Sequence, residues 1–408
     1  MKTYVLVGAG NRALSMFAMP LFGEVKDYGS LVGIYDTNIS RARIVSEEGE
    51  GVPVFDDFDS MMKVCRPDAV IVATVDCYHH EYIIKALEYG ADAITEKPMT
   101  IDAEKCRAIL EAEKRTGKRV SVTFNCRFIP YIVRVKELLK ENVVGDILSI
   151  DMEWLLDTSH GADYFRRWHR NMEKSGGLLV HKSTHHFDMI NWWLDEEPKE
   201  VFAFGTRSFY GPVRQNRGER CLTCEYKNTC EFYWDIHTDQ RKKRLYLNTE
   251  GVDGYFRDRC VFADDIDIYD TMSVNVQYEK GALLTYSLIA HSPYEGWKAS
   301  ISGTKGRLEV EDTSSGIDAA ESVQHIKLFN RKGEKTILNM KKLTDGHGGG
   351  DERLRRMLFV GDVEDPLGQQ ADSKAGSMSI LIGIAANIAI NEKRAVLIKD
   401  LLQPSGKQ

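Results

Sequence analysis

What this sequence lacks narrows its chemistry before any motif is read. No apolar run approaches the ~20 residues of a membrane-spanning helix, and the opening MKTYVLVGAG turns directly into a strand-like segment with no cleavable leader. The expectation is a cytoplasmic protein without a membrane partner. A basic excess is missing too: 54 Lys and Arg stand against 61 Asp and Glu, a net charge of −7, with the two signs intermixed. With no broad positive face, nucleic acid is disfavoured as a partner and small molecules are favoured. Internal repeats and low-complexity segments are absent as well.

What is present suffices for two domains. At 408 residues and 43% hydrophobic content, the chain exceeds the roughly 250–300 residues beyond which one core stops growing. Thr3-Tyr4-Val5-Leu6-Val7 reads as a strand that ends in Gly8-Ala9-Gly10-Asn11-Arg12-Ala13, with a helical segment over residues 13–21. This is G-x-G-x-x-A in a strand–turn–helix setting. Gly8 permits the tight turn, Gly10 lets the backbone approach a pyrophosphate, and the small Ala13 lets helix pack on strand, so phosphates meet the unpaired N–H groups of the helix start. A second apolar run, residues 31–35, ends in Asp36, placed to accept from a ribose 2′-hydroxyl. A carboxylate there favours NAD over NADP, with Arg41 and Arg43 close enough in sequence to soften the preference. The plainer role for Asp36 is to cap the next helix. Strands at 69–74, 91–98 and 119–124 alternate with helices at 81–89 and 103–116, the rhythm of a doubly wound parallel sheet.

Gly8-Ala9-Gly10, Ala73-Thr74 with His79 five residues on, Glu96-Lys97-Pro98, Arg127-Phe128-Ile129-Pro130, and Gly176-Gly177-Leu178 through His185 and Asp188 follow one another in the order found in the Gfo/Idh/MocA oxidoreductases. The chain resembles that family from residue 1 to about 194. The resemblance implies a Rossmann domain over 1–125 and an α+β domain over 126–408 whose open, mainly antiparallel sheet covers the substrate and makes a homo-oligomer, a dimer or tetramer. It implies that Gly8, Gly10, Asn11, Arg12 and Ala13 hold the cofactor with Asp36, and that Thr74, His79, Glu96 and Lys97 complete that site. Lys97 would stand at the carboxyl end of a strand, beside nicotinamide and substrate, where a cation steadies a developing alkoxide. His185 falls on the family histidine and is the candidate general base. The family's aspartate is replaced by His181, and Ser183 stands where glycine is common. Either His181 acts itself, or Asp188 or Glu153 supplies the missing carboxylate.

The stretch GLLVHKSTHHFD, residues 177–188, therefore has three readings. Four residues apart on a helix, His181 and His185 share a face, which suits substrate binding and proton transfer. The same spacing would bind a divalent cation if His160, His169 or Asp188 joined them. The third reading is structural hydrogen bonding at a polar helix start. Just upstream, HGADYFRRWHR at 160–170 reads as a loop suited to a polyhydroxylated ligand, with Tyr164 and Trp168 stacking on C–H faces while His160 and Arg167 reach hydroxyls. A solvated loop that merely packs its tryptophan fits equally. Arg127 joins these as a substrate-binding candidate.

Beyond a helix at 131–141, strand patterns at 146–156, 201–208, 272–278, 283–289, 298–303 and 307–310 indicate the second sheet. Between them lies an insertion at about 210–265 that carries Cys221-x₂-Cys224-x₅-Cys230 and then Cys260. Four thiolates would hold a structural metal, zinc as first choice and an iron–sulfur cluster as second, and would staple a long irregular loop. Cys65, Cys77, Cys106 and Cys126 lie in or beside apolar segments and read as small buried residues. His347-Gly348-Gly349-Gly350-Asp351 is either a ligand-contacting loop or a surface turn, and residues 377–391 read as a buried helix that packs back on the first domain.

The function expected is an NAD-dependent oxidoreductase acting on a secondary hydroxyl of a sugar, polyol or glycoside. One alternative is a redox-neutral enzyme that cleaves glycosides by oxidation, elimination and reduction. The other is a non-catalytic regulator that senses NAD and sugar.

Overall fold

Runs of aliphatic and β-branched residues build the first sheet. The computed structural model describes residues 1–49, 51–320, 323–343, 347–361 and 363–403. Parallel strands β1 (Lys2–Val7), β2 (Gly29–Tyr35), β3 (Val54–Phe55), β4 (Ala69–Val72), β5 (Asp92–Thr95) and β6 (Val120–Val122) lie in the order β6-β5-β4-β1-β2-β3. Side chains alternate between its two faces, as the pleat requires. Tyr4, Leu6, Ile34 and Ile71 join one core cluster with Leu14, Phe17 and Val45, while Val5, Val7, Val70 and Val72 join the other with Ile83, Leu87 and Ile109. Helices thus cover both faces, and each aliphatic side chain withdrawn from water contributes ~1.5–3 kcal/mol. Because β1 pairs with β2 on one side and β4 on the other, the winding reverses beside β1. The carboxyl ends of β1, β2, β4 and β5 deliver Gly8, Asp36, Ala73-Thr74 and Glu96-Lys97 to one edge, where such sheets open a ligand crevice.

The second sheet contains β7 (Ile147–Asp157), β8 (Pro198–Thr206), β9 (Thr271–Tyr278), β10 (Leu283–Ser292), β11 (Gly296–Gly303), β12 (Gly306–Thr313), β13 (Val323–Asn330) and β14 (Lys335–Lys341). Their order is β14-β13-β12-β11-β7-β10-β9-β8, and neighbours are antiparallel except for β7 and β10. The hairpin β13–β14 was not anticipated: β14 is largely exposed, so it lacks the buried alternate positions that reveal a strand. Residues 160–170 also differ from expectation. They belong to a helix, Thr158–Arg166, and a 3₁₀ turn, Trp168–Arg170, and the helix is started by Asp157, whose carboxylate accepts from the N–H groups of Ser159 and His160.

A terminal helix, Ser373–Glu392, ties the two halves together. It is 20 residues long and apolar enough to cross a membrane by composition, which corrects the expectation that no segment approaches that length, yet 67% of its apolar window is buried inside the protein. Before it, β15 (Ala371–Asp372) pairs with β6 in the first sheet, and after it β16 (Val396–Leu397) pairs with β8 in the second. Gly383 lets this helix press against the Leu178–His181 turn: a Cβ there would stand 2.3 Å from the Leu179 carbonyl oxygen. Hydrogen bonds from Asn387 to the Gly176 carbonyl and between Thr184 and Ser379 fix the same stretch. The histidine segment is thereby held rigidly over the carboxyl edge of the first sheet.

Candidate active site

A cleft of about 1180 Å³ separates that edge from the second domain. At one end lies the glycine turn. Gly8 has φ +93°, and a Cβ there would meet the Ala73 carbonyl oxygen at 2.5 Å, so only glycine lets β1 turn so close to the end of β4. Gly10 leaves the space above the turn open, the nearest atom to a Cβ being the Tyr246 hydroxyl at 3.4 Å. Asp36 accepts from the N–H groups of Ala9 and Asn38, both at 2.6 Å, and burial raises its carboxyl above the usual range. The helix that follows is capped by Asn38, not Asp36. These residues fit a nicotinamide dinucleotide: the glycine cradle would take the pyrophosphate, and Asp36 at the end of β2 would take the ribose.

Arg12, Thr74, His79, Glu96 and Lys97 all line the cleft. The Arg12 guanidinium is already shared between Glu96 at 2.8 Å and both oxygens of Asp351 at 2.9 and 3.0 Å. Asp351 also binds Asn125 and His347, so the glycine loop at 347–351 serves as a clasp between its helix and the Rossmann edge. His79 lies 2.8 Å from the Pro98 carbonyl and 3.2 Å from that of Thr74, bracing the turn that carries Lys97.

The centre of the cleft is a chain of three titratable groups from both domains. Asp76 Oδ2 lies 2.5 Å from His181 Nδ1, His181 Nε2 lies 3.4 Å from Lys97 Nζ, and Lys97 also donates to the His181 carbonyl at 3.2 Å. Burial drives the His181 pKa well below that of an ordinary imidazole, with His169 and Lys97 adding to the shift, so the ring is neutral at rest. Burial likewise raises Asp76, against the pull of Lys97 and Arg167. Burial lowers Lys97 to about 8, with Asp76 and Glu96 opposing it. A carboxylate at Nδ1 fixes the tautomer that leaves Nε2 free to accept a proton.

Sequence reasoning missed Asp76. It follows β4 in a 3₁₀ turn, Asp76–Tyr78, and the available signal was an acidic residue just past the carboxyl end of a parallel strand. The two carboxylates considered in its place are engaged elsewhere. Asp188 is buried against Arg127 at 2.6 and 2.8 Å, and Glu153 pairs with Lys298 on the sheet. Arg127 is accordingly not among the residues that line the cleft.

His181 and His185 sit on successive helices, Leu178–His181 and Thr184–Leu194, rather than on one. His185 lines the cleft, but among the described residues its buried Nδ1 has no hydrogen-bond partner. His186 is held by the Tyr286 hydroxyl at 2.7 Å and stacks on Trp154. At the outer end, Tyr164 stacks on His160, whose Nδ1 contacts Glu295 at 2.9 Å, and Arg167 pairs with Asp163 while Trp168 stacks on His169. Lys182 stands over the Trp154 ring, and Trp154 stacks parallel to Trp297 on the next strand, a wall of rings and charges that sequence alone did not assemble.

The metal expectation is corrected. Among the described residues, no group of three or more histidine, cysteine or acidic side chains is arranged to hold a metal ion. Cys221, Cys224, Cys230 and Cys260 do border one small hollow, but Arg166 and Arg220 border it too. The Arg166 guanidinium donates to Cys221 Sγ at 3.2 Å, and a fixed cation there repels a second. The insertion is stapled instead by ion pairs, Arg220 with Asp258 and Glu250, Arg257 with Asp163, and Arg170 with Asp265.

Comparisons with known proteins agree with this architecture. Residues 2–124 match the oxidoreductase family's NAD-binding Rossmann fold, and residues 136–398 match its C-terminal alpha/beta domain. YteT of Bacillus subtilis, named as an oxidoreductase, is 38% identical over 99% of both chains. Glucose-6-phosphate 3-dehydrogenase of Bacillus subtilis is 29% identical over 61% of this chain and 75% of its own. Among solved structures, aldose-aldose oxidoreductase from Caulobacter crescentus superposes with a TM-score of 0.65 at 16% identity, covering 97% of this chain and 99% of that one.

Proposed function

The chain belongs to the Gfo/Idh/MocA oxidoreductase family, and on that footing we propose that it oxidises a secondary hydroxyl of a sugar, polyol or glycoside with NAD. The observation that carries this reading is the hydrogen-bonded chain Lys97–His181–Asp76, which needs both domains to exist. Bound in the glycine cradle and at Asp36, NAD would supply the hydride acceptor for the carbinol carbon. The residues handle everything else. With its pKa lowered to about 8, Lys97 has a neutral fraction able to take the hydroxyl proton, and once protonated it stabilises negative charge on the substrate oxygen. His181 Nε2 lies within reach of Lys97 Nζ and orients it, and Asp76 at Nδ1 holds the ring in the tautomer that leaves Nε2 an acceptor. We assign the base to Lys97, oriented by His181, in preference to His185, whose Nδ1 has no hydrogen-bond partner among the described residues.

The setting of Asp36 supports NAD in preference to NADP. Arg41, the nearby cation that would welcome a 2′-phosphate, is spent on Asp253 at 2.9 Å and on the Leu245 carbonyl at 3.1 Å, and Arg43 is exposed. The aromatic residues Trp154, Trp297 and Tyr164 support a carbohydrate, since ring faces stack on its C–H surfaces while His160, Lys182 and Glu295 reach hydroxyls. A screen of sugars, polyols and glycosides for NADH formation tests the reading. Lys97→Ala should lower turnover at least ~1000-fold while NADH affinity stays within a few-fold, and normal turnover in that variant would refute the role given to Lys97. A redox-neutral cycle is the second reading, favoured by the way the insertion covers the dinucleotide groove.

A further inference from the structure

The insertion does more than fill space between strands. Its segment Gln240–Asp253 leaves the second domain and lies across the Rossmann edge at the glycine turn. Tyr246 and Leu245 enter the same core cluster as Ala13 and Leu14, and Tyr246, Asp253 and Tyr255 line the cleft beside Gly10, Asp36 and Arg41. The anchoring is polar as well as apolar. Arg41, buried in the helix after β2, donates to the Leu245 carbonyl and to Asp253, Asn38 donates to the Thr249 carbonyl at 3.0 Å, and Arg244 pairs with Glu47 and Glu48. Asn38 also caps that helix with its other side-chain atom, so the strap and the helix start are locked by one residue.

The decisive contact is at the turn itself. The Tyr246 hydroxyl accepts from the Asn11 N–H at 2.8 Å, the backbone donor at the helix start where an anion is held, and it keeps its own proton to donate. We propose that this strap is part of the cofactor site: Tyr246, beside the glycine turn, would donate to the dinucleotide pyrophosphate, and the clamp of Arg41 on Asp253 and Leu245 slows release of the dinucleotide. The proposal rests on the reading that the glycine turn binds a nicotinamide dinucleotide. It assigns a binding role to an insertion outside the Rossmann domain.

The test uses the purified full chain. Nucleotide released by denaturation is quantified, and NADH release is followed by fluorescence after mixing NADH-loaded protein with excess NAD. Wild type should retain close to one dinucleotide per chain and exchange slowly. Tyr246→Phe, which keeps the ring in the core, should release NADH at least about tenfold faster, the equivalent of one lost hydrogen bond of ~1.4 kcal/mol. Asp253→Asn should do the same by loosening the clamp. Release rates in both variants equal to wild type would overturn the proposal. The outcome is independent of carbohydrate chemistry: retained NADH with no sugar oxidised would sink the proposed function alone, and sugar oxidation with freely exchanging NADH, unchanged in the variants, would sink the strap alone.

Discussion

Two clusters in this chain look like ligand sets by spacing, the histidines around residue 181 and the cysteines around residue 221, and the fold treats them oppositely. The histidine cluster receives a carboxylate from another domain, Asp76, and a lysine from a third place in the chain, so it becomes a hydrogen-bonded line that ends at the lysine. The cysteine cluster receives arginines: Arg166 donates to Cys221 Sγ, and Arg220 borders the same hollow. Spacing within one segment proposes a site, and the charge brought by a distant segment decides its chemistry. Proton transfer needs an anion behind the imidazole, whereas a thiolate cage for zinc needs the absence of a competing cation.

Breaking the first cluster should have the larger effect. Asp76→Asn keeps the shape and removes the charge behind His181, and kcat/KM for hydroxyl oxidation should fall by about 100- to 1000-fold with little change in Tm. His185→Gln, by contrast, should cost no more than about tenfold, because His185 lacks an orienting partner. A larger loss for His185 than for Asp76 in steady-state kinetics would reverse the assignment. In the second cluster, Arg166→Ala should destabilise the protein by about 2–3 kcal/mol, read as a lower denaturant midpoint, because it leaves the buried Phe232 carbonyl and Cys221 without their donor. The smallest effect is expected from chelation: exhaustive treatment with a metal chelator should leave Tm within about a degree. A stoichiometric metal in the purified protein, with a collapse of Tm on its removal, would restore the cysteine cage.

Much of the fold was legible because it rests on local signals. The glycine turn, Asp36 and the Glu96-Lys97-Pro98 turn all close parallel strands of the first sheet, and the terminal helix is apolar on nearly every face. Local signals that were present but weak explain other misses. The helix Thr158–Arg166 hides behind histidine and arginine, although its start is marked by Asp157, and β14 is too exposed to betray its strand by alternation. The site was only half legible. Lys97 and the histidines announce themselves, but Asp76 is separated from His181 by 105 positions and reaches it only because two domains close on each other. The partner of Arg127 was likewise hidden: Asp188 was available in sequence as a catalytic carboxylate, and packing committed it to a buried ion pair.

The pH dependence of the hydride step tests the central claim most directly. Oxidation needs an unprotonated acceptor, so kcat/KM for the alcohol should rise with pH and level off above the Lys97 pKa of about 8. The Asp76 carboxylate favours the protonated lysine, so Asp76→Asn should lower the plateau and shift the inflection toward lower pH. A profile for Asp76→Asn that superposes on that of wild type, in height and in midpoint, would show that the carboxylate takes no part in moving the proton.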